Sequence, residues 1–226
     1  MQVEQGFVLT RHWRDTPQGT QVEFWLATDG GPRRVCLPAQ TSVAFVPAQQ
    51  QTRASELLRG EKQVQLRPLA LKDFQQRPVL GLYCQQHRQL LQLEKRLRGA
   101  GIEVLEADIR PPERYLMERF ITAPVSVSGQ PDAAGVWRDA QLKPANDYRP
   151  TLKLVSLDIE TSERGELYSI ALEGCGQRQV YMLGPANGDS TGIDFQLHWC
   201  DSRAALLQCL NAWLAEHDPD AIIGWN

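Results

Sequence analysis

The sequence predicts a mixed α/β (α+β) protein, with a β-rich amino-terminal domain over residues 1–148 and a second, sheet-based domain over residues 149–226. Three observations carry that prediction. Short runs of β-branched and aromatic residues, broken by turn formers, fill the first fifty positions. A polar stretch with two prolines, DAQLKPANDYRP at 139–150, lacks apolar periodicity and reads as a linker. After it comes an apolar run, LKLVSLDIE at 152–160, that ends in two carboxylates and is followed by hairpin and helix signals.

In the first domain, GFVLTRHW (6–13) and QVEFWLAT (21–28) flank DTPQGT, a turn-forming cluster, so a hairpin is expected. RRVCLP and SVAFVP extend the strand pattern, each closed by a proline. A helix is expected around Gln50–Arg59, stopped by Gly60, and then a strand at VLGLYCQ. In HRQLLQLEKRLRGAG, Leu90, Leu91, Leu93 and Leu97 stand among charged residues before two glycines, which predicts an amphipathic helix. IEVLEADI is expected as a strand, and PPERYLMERFI as a helix with its prolines in the tolerant first turn. His87, Arg88, Lys95, Arg96 and Arg98 could touch a DNA backbone or form a solvated face.

In the second domain the strand ending in Asp158 and Glu160 is expected to be buried. GELYSIALEG and RQVYML form an antiparallel hairpin around EGCGQ, and DFQLHW is an edge-strand candidate. Ser202 caps a helix with apolar residues at Leu206, Leu207, Leu210, Trp213 and Leu214; HDPD breaks it before the short strand AIIGW. Three strands, a helix and a fourth strand parallel to the first make the opening of a ribonuclease-H-like fold. Strand residues two apart share a face, so Asp158 and Glu160 point the same way, roughly 6.6 Å apart along the backbone. Paired carboxylates repel, and a divalent cation relieves that repulsion; hard oxygen ligands suit Mg²⁺ or Mn²⁺. With a second ion about 4 Å away such a site performs in-line phosphodiester hydrolysis. The bland alternative is a pair that faces water or caps the next turn.

Composition narrows the field. Of 226 residues, 42% are hydrophobic and 23% charged, as in ordinary globular domains. No run approaches the roughly 18 apolar residues that span a bilayer, and the start lacks the basic-then-apolar layout of a secretion signal. Five scattered cysteines without a C-x-x-C pair argue against a disulfide framework and a zinc site, and suit a reducing cytosol. No Ser or Cys stands in a G-x-S-x-G context, so a nucleophilic hydrolase is disfavoured. Residues 1–148 carry 19 basic against 16 acidic side chains, and residues 149–226 carry 5 against 11. An acidic module behind a mildly basic one fits a cation-gathering site beside a surface that tolerates phosphates.

VSLDIETS (155–162) resembles the first exonuclease motif of family-B DNA polymerases, and IIGWN (222–226) is similar to the start of their second. RHWRDTPQGT, LALKDF, RPPERYLMERFIT, LEGCGQR and YMLGPANGD, in that order, extend the resemblance over essentially the whole chain. It implies a DNA-directed DNA polymerase with a 3′→5′ proofreading exonuclease, whose amino-terminal domain (1–148) precedes the first part of the exonuclease domain (149–226). It implies that Asp158 and Glu160 are catalytic and hold two Mg²⁺ or Mn²⁺ ions, with Glu160 on the ion that activates water. Thr161 and Asn226 would contact the DNA 3′ end. Implied partners are primer-template DNA, a single-stranded 3′ end and deoxynucleotides, with a sliding clamp as a further candidate and no membrane. The implied location is the bacterial cytoplasm, at the nucleoid. The second-motif Asp, the third-motif Tyr and Asp, and the palm, fingers and thumb are not among these residues, so the expectation is a piece of a longer protein that degrades DNA poorly by itself. A free-standing exonuclease of the same fold and a non-catalytic nucleic-acid-binding module are the alternatives.

Overall fold

A computed structural model describes residues 2–186 and 191–224, which divide into two compact units, Met1–Pro150 and Thr151–Asn226. In chain order the first unit runs β1 (Gln2–Thr16), β2 (Gly19–Ala27), β3 (Arg33–Cys36), β4 (Ser42–Pro47), a 3₁₀ turn (Ala48–Gln50) and α1 (Gln51–Leu57). It continues with β5 (Val64–Lys72), β6 (Pro78–Cys84), α2 (His87–Gly99), α3 (Pro111–Met117), β7 (Pro124–Pro131) and β8 (Trp137–Pro144).

Five of these strands close a barrel in the order β1-β2-β3-β8-β7. All neighbours are antiparallel except β3 and β8, which run parallel and meet at Val35 and Trp137. Alternation on β2 decides what is inside: Val22, Phe24 and Leu26 are wholly buried, while Glu23 and Trp25 point outward. Val35, Leu37, Val125, Val127, Trp137 and Leu142 complete that core, and Tyr115 and Leu116 of α3 pack onto it. Closure leaves no open sheet edge on the barrel.

Between β3 and α3 lies a three-stranded antiparallel layer ordered β4-β6-β5. Its core face (Ala44, Val46, Leu82, Cys84) packs against Ala54 of α1 and Leu90, Leu93 and Leu97 of α2. The predicted helix α2 is therefore amphipathic as expected, with Leu91 outside the buried stripe. Three expectations change. IEVLEADI is not a strand: only Leu105 pairs, with Phe45, and the left-handed backbone of Glu106 (φ 57°) stops further pairing. Ile102 and Val104 are buried under the layer, and it is this burial that mimics a strand in sequence. β5 is unanticipated, because Pro68 sits where its register slips on β6; proline is tolerated on such an edge strand. The stretch read as a linker begins inside β8. A bulge near Asp139 (φ 49°) puts the inward residues Trp137 and Ala140 three apart, which hides the two-residue period.

α2 has no local side-chain cap. Asp15 of β1 supplies one across the fold: its two carboxylate oxygens accept the backbone N–H groups of His87 and Arg88, each at 2.9 Å. The Thr20 hydroxyl donates to Asp15 at 2.8 Å and accepts the same His87 N–H at 3.1 Å. A carboxylate at a helix amino end satisfies otherwise unpaired donors and meets the positive end of the helix dipole. Asp15→Ala is expected to destabilise the first unit by about 1–2 kcal/mol in urea denaturation; an unchanged midpoint excludes the cap as the anchor of α2.

His87 is itself buried, with its ring edge-on to Trp13 at 4.8 Å. Burial holds its pKa below the usual value near 6.5; Asp15 pulls it up and Arg114 pushes it down. The unfolded chain therefore binds a proton that the folded chain resists. The stability this contributes is fully present above about pH 6.5 and is lost as pH falls through the lower folded value. Melting temperatures between pH 8 and pH 5 should fall more for the native chain than for His87→Leu; equal slopes would count against this.

The second unit runs β9 (Leu154–Thr161), β10 (Leu167–Gly174), β11 (Gln177–Leu183), β12 (Gln196–Cys200), α4 (Arg203–His217) and β13 (Ala221–Ile223). The sheet order is β12-β11-β10-β9-β13. β9, β10 and β11 are antiparallel; β12 runs parallel to β11, and β13 parallel to β9. Both residues of the β10–β11 turn, Cys175 and Gly176, have positive φ, the backbone of a tight hairpin. The Ser202 hydroxyl caps α4 by accepting the Ala205 N–H at 3.2 Å. Leu206 and Trp213 pack with Val155, Ile170, Leu172, Tyr181 and Cys200; Leu210 and Leu214 lie at the margin, and Leu207 is exposed. The antiparallel β10–β11 hairpin, the edge position of β12 and the parallel pairing of β13 with β9 are as expected; the parallel direction of β12 against β11 is an addition.

At Gly174 the backbone of β9 lies too close to β10 for a side chain. A Cβ there would lie 2.2 Å from the Leu154 carbonyl oxygen and 2.7 Å from the Val155 Cα. Both obstacles are backbone, so Gly174→Ala should cost the second unit about 1–3 kcal/mol or more. Thermal melting followed by circular dichroism checks this; a wild-type melting temperature excludes the close approach.

Candidate metal-binding face

β9 is paired to β10 over residues 155–161 and to β13 over residues 154–156, so two ladders fix its pleat at the start and the β10 ladder carries it on to the carboxylates. Val155 and Leu157 turn toward α4, and Ser156, Asp158 and Glu160 turn to the opposite face. Cross-strand partners repeat the division: Ser156 stands opposite Glu173, Asp158 opposite Ala171, and Glu160 opposite Ser169. The alternation expected for the two carboxylates is thus the one the fold adopts.

Their surroundings differ from the expectation of a buried strand. Only Val155 of β9 is buried, while Asp158, Glu160 and Thr161 are exposed. The reason is coverage: α4 packs mainly on β10, β11 and β12 and, on β9, covers Val155 but leaves Ile159 largely open. Ile159 and Ile222 remain 50% and 55% exposed even on the helix-bearing face. Among the described residues, no element of the second unit covers the carboxylate face.

The Asp158 Oδ1 accepts the backbone N–H of Ile159 at 3.0 Å, which ties down one carboxylate oxygen. Neither Asp158 nor Glu160 takes part in an ion pair among the described residues. Beside Asp158 lies a shallow cavity of about 230 Å³, lined also by Ser156, Glu173, Arg178, Asp194 and Phe195. Its arginine is committed elsewhere. Arg178 donates to Glu173 at 3.1 Å and also to Asp194, and these acids raise its pKa, Asp194 most. The Glu173–Arg178 part was legible as a cross-strand pair next to a two-residue turn; Asp194 joins from a loop, with no sequence signal.

The donor set suits a hard divalent ion. Mg²⁺ is commonly held by one or two carboxylates, with water and substrate phosphate filling the remaining positions. Asp158 and Glu160 offer two such groups, and no cluster of three or more His, Cys, Asp or Glu side chains occurs among the described residues. Thr161 ends β9, opposite Leu167, and Asn226 lies outside the described residues.

The basic residues of α2 are mostly occupied. His87 is buried, Arg96 pairs with Glu61, and Arg98 pairs with Glu94 and donates to the Val104 carbonyl. Arg88 and Lys95 alone stay open to solvent without an ionic partner, which favours the solvated-face reading.

Residues 6–41 match the family model "DNA polymerase II, N-terminal", and residues 42–102 match "DNA polymerase II, insertion domain". The latter interval contains the β4-β6-β5 layer. The chain is 64% identical to DNA polymerase II of Escherichia coli (strain K12) over 221 residues, 98% of this chain, and spans 28% of that relative's length. Its fold is similar to that of the family B DNA polymerase from the hyperthermophilic archaeon Pyrobaculum calidifontis. The TM-score is 0.76 and the identity 16%, over 98% of this chain and 30% of that one.

Proposed function

We propose that the chain belongs to the DNA polymerase II family and that the protein it represents is a DNA-directed DNA polymerase whose second unit opens a 3′→5′ proofreading exonuclease. The observation that carries the exonuclease reading is the unpaired Asp158–Glu160 couple on one face of β9. The neighbouring Arg178 is held by other acids, so no ion pair among the described residues competes with a cation for the couple.

In this reading Asp158 and Glu160 hold Mg²⁺ or Mn²⁺ against the phosphate of a DNA 3′ end. When bound, two such ions supply activation of the attacking water and stabilisation of the leaving oxygen. The chain's own part is placement. The ladder between β9 and β10 holds the two carboxylates on one side, and the Ile159 N–H orients Asp158 by its Oδ1, leaving Oδ2 free. Thr161, at the end of the same strand, offers its backbone to the terminal nucleotide, and Asn226 is a second candidate contact. Primer-template DNA and deoxynucleotides are the substrates of the whole protein, with a sliding clamp as a candidate partner. The bacterial cytoplasm, at the nucleoid, is the proposed location. No helix among the described residues is long and apolar enough to cross a membrane.

Titration with Mn²⁺, followed by calorimetry, tests the site in residues 1–226. Asp158→Ala and Glu160→Gln should each weaken binding by about tenfold or more; equal affinity in wild type and both variants removes the metal site. In the complete gene product the same substitutions should abolish excision of a single-stranded 3′ end while primer extension persists. Residues 1–226 alone are expected to excise poorly, and vigorous degradation of single-stranded DNA by them overturns the two-carboxylate limit.

A further inference from the structure

Of five cysteines, two touch. Cys200 closes the edge strand β12, Cys209 sits in the second turn of α4, and their sulfur atoms are 3.9 Å apart. Cys200 is buried and Cys209 half-buried, so a small oxidant reaches one thiol of the pair from solvent. The other three differ: Cys36 and Cys84 are buried, and Cys175 lies in the β10–β11 turn. Burial raises the Cys36 thiol pKa and pushes that of Cys84 up to about 12, which keeps both as unreactive thiols.

We propose that Cys200 and Cys209 form an oxidisable dithiol, a modification site at which a peroxide joins α4 to the edge of the sheet by a disulfide. The half-exposed Cys209 attacks the peroxide; the O–O bond breaks, an S–O bond forms, and one water leaves, giving a sulfenic acid. Cys200 then attacks that sulfur; the S–O bond breaks, an S–S bond forms, and a second water leaves with the thiol proton. Two thiols are oxidised by two electrons and one peroxide is reduced to two waters. Burial also raises the Cys200 pKa, with help from the Cys209 contact, which fits Cys200 as the resolving partner rather than the first nucleophile. Closing the sulfurs from contact to bond length asks for rotation of two side chains and a small shift of an edge strand that is hydrogen-bonded on one side only.

The test uses residues 1–226 treated with hydrogen peroxide under native conditions, then denatured and alkylated. Titratable thiols should fall from five to three and return to five with dithiothreitol, and peptide mapping should find one cross-link, between the peptides bearing Cys200 and Cys209. Cys209→Ser should retain four thiols after the same treatment, with an unchanged circular dichroism spectrum showing that it is folded. The oxidised native chain should melt several degrees higher than the reduced one, and the variant should show no such shift. Five thiols surviving oxidation, a cross-link elsewhere, over-oxidation of Cys209 without a cross-link, or no melting shift would each overturn the proposal.

Discussion

The pleat of β9 is the constraint from which the chemistry of the second unit follows. A strand held by β13 at its start and by β10 along residues 155–161 cannot rotate about its axis, so its odd and even residues are committed to opposite faces. One commitment buries Val155 under α4; the other sends Ser156, Asp158 and Glu160 to the open side. A register slip of one residue would exchange them, placing carboxylates in the core and valine in water. Packing of a single valine and the direction of two acids are therefore one decision. The tight hairpin at Cys175–Gly176 and the close approach at Gly174 hold that register from the neighbouring strand.

The first unit solves a different problem, how to carry an inserted layer on a closed barrel. Closure satisfies the barrel backbone but offers no free edge to which another sheet could join. The inserted strands form their own small sheet, and a helix end is one of the links between them and the barrel, beside the Thr20–Ser42 and Gln85–Pro17 hydrogen bonds. The Asp15 carboxylate accepts two backbone N–H groups of α2, and Thr20 binds both the acid and the helix. His87, next to that cap and against Trp13, is thereby held neutral in a place where protonation is costly.

Charge is distributed with the same economy. Residues 149–226 contain far more acids than bases, and two of their arginines, Arg178 and Arg203, are already paired to Glu173, Asp194 and Glu166. Asp158 and Glu160 are not among the acids these arginines hold, and both are exposed. In the first unit two of the four cationic side chains of α2, Arg96 and Arg98, are paired with Glu61 and Glu94, while Arg88 and Lys95 stay open.

The sequence by itself determined the mixed α/β class, the β1–β2 hairpin, the amphipathic α2, the proline-led α3, the β10–β11 hairpin and the shared face of Asp158 and Glu160, because each depends on local periodicity or turn chemistry. It also exposed the family resemblance, since ordered segments survive as text. Other features needed the fold. The bulge in β8 and the proline in β5 break the period that marks a strand, while IEVLEADI keeps the pattern of burial without the pairing. Whether β9 would be buried depended on how far α4 reaches across the sheet. The Asp15 cap joins residues more than seventy positions apart, and Asp194 reaches Arg178 from a loop. Such contacts are set by where chain segments meet in space, and no local pattern of residue types encodes that meeting.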